Sequence, residues 1–154
     1  MRQCDKIKQM KIIKFFIKIF FIAFATIFLF AGIAQAANIG DWKNFYVDKG
    51  YDASGRSIVK AVLVKSGFKA NIYVDESWWN FTSQSAAESA INSLSVEFDN
   101  RIHPILTGAF GQEWDPGIDK DSKITILIQS MNGDAGGYFR TNDEHPKLLV
   151  TDSN

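Results

Sequence analysis

Three aspartates within seven residues carry the clearest candidate chemistry in this sequence. Asp115, Asp119 and Asp121 follow shortly after Glu113 in a segment rich in carboxylates. Ca²⁺ takes several oxygen ligands, so this cluster predicts a calcium site. The spacing departs from the EF-hand loop, because counting from Asp119 puts Ile124 where that loop needs glycine. The alternative is a solvated acidic turn, in which the aspartates accept hydrogen bonds from nearby backbone N–H groups.

The two histidines, His103 and His145, lie outside any zinc-peptidase motif. Such enzymes place two histidines and a glutamate base on one helix as H-E-x-x-H, and this sequence contains no such motif. His103 follows Asp99 by four residues, a helical spacing at which two side chains can share a metal. Because the pattern supplies no further ligands, we interpret this pair as structural. His145 precedes Pro146 in a predicted turn. We therefore assign zinc ligation to neither histidine and no catalytic residue within the chain.

The glycine-rich segment 132–139 ends in two aromatic residues, Tyr138 and Phe139. It is no phosphate-binding loop, because it lacks the Gly-Lys-Ser/Thr sequence and no helical pattern follows it. The glycines permit a sharp turn of the backbone. Burial of both aromatic rings in the core directly after that turn is one interpretation.

Residues 1–36 have the form of a secretory signal peptide. Basic residues precede the uncharged stretch Ile19 to Ile33, and Ala34-Gln35-Ala36 supplies a small-x-small cleavage pattern. This predicts a secreted or extracytoplasmic protein that starts at Ala37. The alternative is an uncleaved leader that anchors the protein in a membrane. The only cysteine, Cys4, lies in this leader, so the remainder contains no disulfide.

The basic leader also offsets the negative charge of the remaining chain. It holds six of the 17 Lys and Arg residues but one of the 17 Asp and Glu residues, which leaves residues 37–154 with a net charge of −5. Nucleic acid binding depends on clustered Lys and Arg, and no such cluster occurs in this part. We therefore exclude nucleic acid as a partner.

The hydrophobic pattern predicts an α+β fold. Apolar and β-branched residues over 57–65 and the alternation of residues 68–74, separated by Ser66-Gly67, indicate a β-hairpin. Apolar residues at helical intervals indicate a long amphipathic helix over about 85–101, which Pro104 interrupts. The apolar run 124–128 is typical of a buried strand, and Leu148 to Val150 suggests a last strand. We predict a small, twisted, mostly antiparallel sheet backed by the long helix.

Three segments together resemble secreted neutral zinc metallopeptidases of the hyicolysin type, a family of the zincin class. They are Phe98-Asp99-x-x-Ile102-x-Pro104, the stretch from Phe110-Gly111-x-Glu113 through Asp119-x-Asp121 to Ile124, and Gly137-Tyr138-Phe139 followed by Asp143. The resemblance covers about residues 59–154. It implies the fold of the N-terminal half of a zincin catalytic domain, a zinc cofactor in the complete protein and peptide or protein substrates. It also implies that Tyr138 and Phe139 line a substrate cleft.

In this family an H-E-x-x-H helix follows the region that Asp152-Ser153-Asn154 resembles. We therefore expect residues 1–36 to be a signal peptide, 37–56 an N-terminal extension and 57–154 an incomplete metallopeptidase-like domain. Such a fragment is expected to be inactive by itself. The alternative is a secreted, non-enzymatic binding module, with a calcium-stabilised acidic loop and the aromatic pair Trp78-Trp79 as a contact surface.

Overall fold

A computed structural model of the chain describes residues 37–81, 83–133 and 135–154. The predicted signal peptide lies outside these residues. The described part contains four strands, three α-helices, one π-helical turn and one 3₁₀ turn. In chain order they are β1 (Trp42–Tyr46), β2 (Ile58–Ser66), β3 (Ala70–Asp75), α1 (Glu76–Phe81), α2 (Gln84–Glu97), the π-helical turn (Phe98–Ile102), α3 (His103–Phe110), β4 (Ile124–Ile128) and the 3₁₀ turn (Thr141–Glu144).

The four strands form one mixed sheet in the order β1-β2-β3-β4. β1 and β2 pair antiparallel, as do β2 and β3, whereas β3 and β4 pair parallel. A parallel pair needs a crossover connection, and the helices between β3 and β4 supply it. A bulge between Leu63 and Lys65 interrupts the register of β2 with β3, and bulges of this kind increase the local twist. The predicted α+β class and the predicted hairpin are confirmed.

Each face of the sheet packs a different set of apolar side chains, because successive residues of a strand point to opposite faces. One face buries Ile72 and Val74 against Ile91 of α2, with Trp78 and Trp79 packed around them. The other face carries a second cluster of buried residues: Phe45, Val47, Val59, Ala61, Leu63 and Tyr73. Trp78 and Trp79 thus cover the core on the face of the sheet that packs against α2. The opposite face, which carries no helix among the described residues, is available for other contacts.

The long helix is continuous but changes its pitch before Pro104. α2 ends at Glu97, the π-helical turn follows, and Pro104 occupies the first turn of α3. Proline lacks a backbone N–H and disrupts the regular ladder of a helix, and a π-helical turn accommodates such a disruption. The predicted helix over 85–101 is confirmed. At the predicted interruption near Pro104, α3 begins directly after the π-helical turn, with no loop between them.

Asp99 in the π-helical turn ties the helices to the β2–β3 hairpin. Its carboxylate accepts hydrogen bonds from the backbone N–H groups of Phe68 (2.8 Å) and Lys69 (2.7 Å). The β2–β3 turn also packs closely against α2, since a Cβ added at Gly67 would lie 2.5 Å from Ser95 Oγ. Asp99 therefore anchors the hairpin, a contact that the sequence analysis did not predict.

One predicted strand is wrong. Residues 147–149 form a turn, Val150 belongs to no strand, and Leu148 and Leu149 are 94% and 74% exposed. Their apolar character suggested a strand, but the polar contacts of the surrounding segment fix its path instead. β1 lies within the predicted N-terminal extension and forms an edge strand of the sheet. Within the described ranges, no helix is long and apolar enough to span a membrane.

Candidate functional site: an open cleft beside β4

A cleft of about 1060 Å³ opens between β1, β4 and the segments that follow α3 and β4. β4 pairs with β3 on one side, and within the described residues no strand pairs with its other edge. All residues of β4 line the cleft, which runs along this unpaired edge. Most residues of two further segments line the cleft: 112–123, which we call the acidic loop, and 136–145.

The β1 side of the cleft has a buried aromatic pair and one lysine. Phe45 packs edge-on against Tyr73, with ring centroids 4.9 Å apart. Lys43 lies on the same face of β1, and its Nζ is 5.0 Å from the centroid of the Phe45 ring. Burial lowers the pKa of Lys43 and the nearby Lys147 acts in the same direction, while Asp119 opposes the change. The cleft therefore presents both apolar and charged groups to a ligand.

Tyr138 and Phe139 both line the cleft. The Tyr138 ring stacks on Tyr51 with centroids 4.7 Å apart, and its Oη accepts a hydrogen bond from the Asp48 N–H. Phe139 is held less closely, because 70% of its surface is exposed. The Phe139 ring is thus available to an incoming group, whereas Tyr138 is fixed by two neighbours.

The acidic loop is anchored at both ends. At its start, Glu113 Oε1 lies 2.7 Å from Nε2 of His103, which is almost fully buried. This hydrogen bond is the main cause that lowers the pKa of Glu113. At its end, Asp121 accepts a hydrogen bond from the side-chain amide of Asn71. His103 thus holds the start of the acidic loop through Glu113, which lies ten residues further along the chain.

The three aspartates of the predicted calcium site are engaged differently. Asp119 accepts a hydrogen bond from the Asp121 N–H, and Asp121 accepts one from the Lys123 N–H. Asp119 and Asp121 line the cleft, and Asp115 does not belong to its lining. Across the part of the chain that the structure describes, no three His, Cys, Asp or Glu side chains converge to hold a metal ion. Local backbone contacts account for the positions of Asp119 and Asp121.

Two polar networks in the structure were not predicted from the sequence. In the first, Arg56 bridges two buried carboxylates, Asp52 and Asp75, at 2.7 and 2.6 Å. In the second, Arg140 donates to the backbone carbonyl of Tyr46 at 2.7 Å. Asp52 lies only four residues from Arg56, but the separations of 19 residues for Arg56–Asp75 and 94 for Arg140–Tyr46 are too long for spacing to reveal the networks.

The unpaired edge of β4 is a feature that an extended peptide can bind. An unpaired strand edge offers backbone N–H and C=O groups to a strand-like ligand, and neighbouring apolar groups accommodate its side chains. Hydrolysis would need a nucleophile or a metal-activated water with a base beside it. Among the described residues, no group of three His, Cys, Asp or Glu side chains could hold such a metal.

Part of the chain is similar in sequence to a metalloprotease. It is 30% identical over 90 residues to a protein described as "Neutral metalloprotease ShpI" from Staphylococcus hyicus. The match covers 54% of this chain and 18% of the relative, so the chain spans less than a fifth of the relative's length. No family model matches the sequence. The similarity supports a metallopeptidase-like relationship.

Proposed function

We propose that this chain is the N-terminal part of a secreted zinc-dependent endopeptidase-like protein of the hyicolysin type, and that it has no peptidase activity by itself. The observation that carries the proposal is the similarity to a neutral metalloprotease over 54% of the chain. The mixed sheet with its backing helix fits the N-terminal half of a zincin domain. The leader of residues 1–36 supports export from the cell.

In this proposal the cleft beside β4 is where the peptide substrate binds. A peptide in extended conformation pairs with the unpaired edge of β4 through its backbone. The exposed ring of Phe139 contacts a substrate side chain, and Tyr138 holds the neighbouring wall in place. The net charge of −5 in residues 37–154 disfavours nucleic acid as a competing ligand.

The described residues do not suit the zinc ion of such an enzyme. Zinc sites need three or four nitrogen, sulfur or oxygen ligands at close range, and no such group occurs within the described ranges. We therefore derive no catalytic step through zinc from this chain. Its ligands and the general base would come from polypeptide outside the described residues.

Calcium binding at Asp115, Asp119 and Asp121 remains a hypothesis that only the ligand types support. A bound ion that prefers the folded state raises the melting temperature, since binding shifts the folding equilibrium. If the acidic loop binds calcium, 1 mM Ca²⁺ raises Tm and the Asp119→Asn variant loses that increase. An unchanged Tm in the wild-type protein rejects the hypothesis. The 1 mM concentration is on the order of the weakest extracellular calcium sites.

The nucleotide sequence after the Asn154 codon tests the fragment proposal. We expect an open reading frame that encodes an H-E-x-x-H motif shortly downstream. A stop codon directly after Asn154 would contradict the proposal. A secreted binding module would then be the better description of the protein.

Peptide binding tests the role of the cleft separately. The probe is a fluorescently labelled peptide from unfolded casein, and fluorescence anisotropy reports its affinity. Phe139→Ala is expected to weaken binding by about tenfold, since truncation of a contacting aromatic residue commonly costs more than 1 kcal/mol. Phe68→Ala is the matched control, because Phe68 is similarly exposed but lies on the β2–β3 turn. Equal affinities for both variants would remove Phe139 from the binding site.

A further inference from the structure

The segment Arg140–Asn154, which we call the strap, is tied to one residue of β1. The Tyr46 N–H donates to Asn154 Oδ1 at 2.6 Å, and Asn154 Nδ2 donates to the Tyr46 carbonyl at 2.9 Å. Arg140 Nη1 donates to the same carbonyl at 2.7 Å. One side-chain amide thus occupies both backbone groups of Tyr46, as a neighbouring strand would do at a sheet edge.

Charged groups within the strap hold this tie together. The Arg140 guanidinium donates to Asp143 at 3.2 Å and to the Asp152 carboxylate at 3.0 Å. Asp143 Oδ1 in turn accepts hydrogen bonds from the backbone N–H and the side-chain amide of Asn154, both at 3.1 Å. Hydrogen bonds to charged groups are stronger than neutral ones, and Arg140 joins both halves of the set.

Burial of apolar side chains contributes little to the hold on the strap. Leu148 and Leu149 point to solvent, and the two buried clusters of the sheet contain no strap residue. Segments with few buried apolar contacts open locally at a lower free energy than the core. The strap therefore has the properties of a unit that detaches while the sheet stays folded.

Opening of the strap would widen the cleft. Asp143, Glu144, His145 and Asn154 line the cleft, and Tyr138 and Phe139 precede the strap directly. We propose that the strap is a clasp on Tyr46 that opens as a unit, and that Arg140 sets how often the cleft is accessible. This inference does not depend on the identity of the ligand and goes beyond the proposed function.

Hydrogen exchange of backbone amides tests the clasp. In the wild-type protein, the Tyr46 N–H is expected to exchange faster than the amides of Ile72 and Val74 in the sheet core. Arg140→Met is expected to accelerate exchange at Tyr46 by at least about tenfold, the factor that corresponds to the loss of one hydrogen bond of a charged group. Exchange at Asp48, whose N–H donates to Tyr138, is expected to rise with it.

Two controls distinguish a clasp from a general loss of stability. Arg101→Met removes an exposed arginine that pairs with Glu97 on the helix surface, and it is expected to leave Tyr46 exchange unchanged. Arg140→Lys keeps the charge and is expected to restore part of the protection. Wild-type exchange at Tyr46 as slow as that of the core would overturn the proposal. An Arg140→Met variant with unchanged exchange at Tyr46 would overturn it as well.

Discussion

Replacement of Arg56 by methionine is expected to destabilise the fold strongly. The Asp52 and Asp75 side chains that it bridges are 0% and 1% exposed, whereas Arg56 itself is 30% exposed. Removing one partner of a buried ion pair costs about 3–5 kcal/mol, because the remaining charge is left uncompensated. Both carboxylates keep other donors, such as the Ser54 N–H for Asp52 and the Ser77 N–H for Asp75. We therefore expect the lower end, about 3 kcal/mol.

Thermal and urea denaturation measure this loss. For a domain of this size, about 3 kcal/mol corresponds to a decrease in Tm of roughly 9–15 °C. Arg56→Lys retains the charge but loses the forked geometry, so its loss is expected to be about half as large. A loss below about 1 kcal/mol for Arg56→Met would refute the reasoning, since the two carboxylates would then need no cation.

The same network predicts a dependence on pH. The hydrogen bond from Arg56 lowers the pKa of Asp52 below its ordinary value of 3.8. The stability from this group is therefore complete above that value and is lost as the pH falls through the lower pKa of the folded state. The stability difference between wild type and Arg56→Met should shrink below about pH 4. A difference that is constant from pH 7 to pH 2 would contradict this explanation.

A second substitution checks the sign of the effect. Asp75→Asn alone is expected to destabilise the protein, since it removes a charge from a satisfied pair. In the Arg56→Met background the same change removes an uncompensated buried charge, so it is expected to stabilise the protein. Additive losses from the two substitutions would show that the buried charges are not coupled.

Further predictions concern the hairpin turn and the acidic loop. Asp99→Ala should cost about 2–3 kcal/mol in urea denaturation, because two backbone N–H groups lose a charged acceptor, while Asp99→Asn should cost less; equal losses would argue against the anchor. Gly67→Ala should cost about 1–3 kcal/mol, because its Cβ would lie 2.5 Å from Ser95 Oγ, and a Ser95→Ala background should relieve part of the cost. Glu113→Gln should make the acidic loop more sensitive to limited proteolysis, since the charged hydrogen bond to His103 is lost; an unchanged cleavage rate would contradict the anchoring role.

The sequence predicted the elements whose residues pack regularly. Ile72 and Val74 alternate on one face of β3, and Ala87 and Ile91 share the buried face of α2, and such periodicity is visible without the fold. Leu148 and Leu149 led to a wrong strand prediction. They pair with no strand of the described sheet, and polar contacts determine the path of the strap. Apolar character alone does not specify a strand.

The sequence indicated much less of the site. The composition of the acidic loop suggested calcium, which stays a prediction, whereas the local backbone hydrogen bonds of Asp119 and Asp121 follow the alternative of an acidic turn. Arg140 and Asn154 had no signal, since their partner Tyr46 lies 94 and 108 residues away. Contacts between such distant positions arise only when the sheet curls and brings the strap onto β1.

Proteolytic activity of the protein as its own cells produce it tests the central proposal most directly. Antibodies against residues 37–154 recover that protein from the culture medium, and the recovered material is assayed for casein hydrolysis and bound zinc. We predict hydrolysis that a zinc chelator abolishes and added zinc restores, and no hydrolysis by the purified chain of residues 37–154. Recovered protein without zinc and without activity would contradict the proposal that this chain belongs to a zinc endopeptidase.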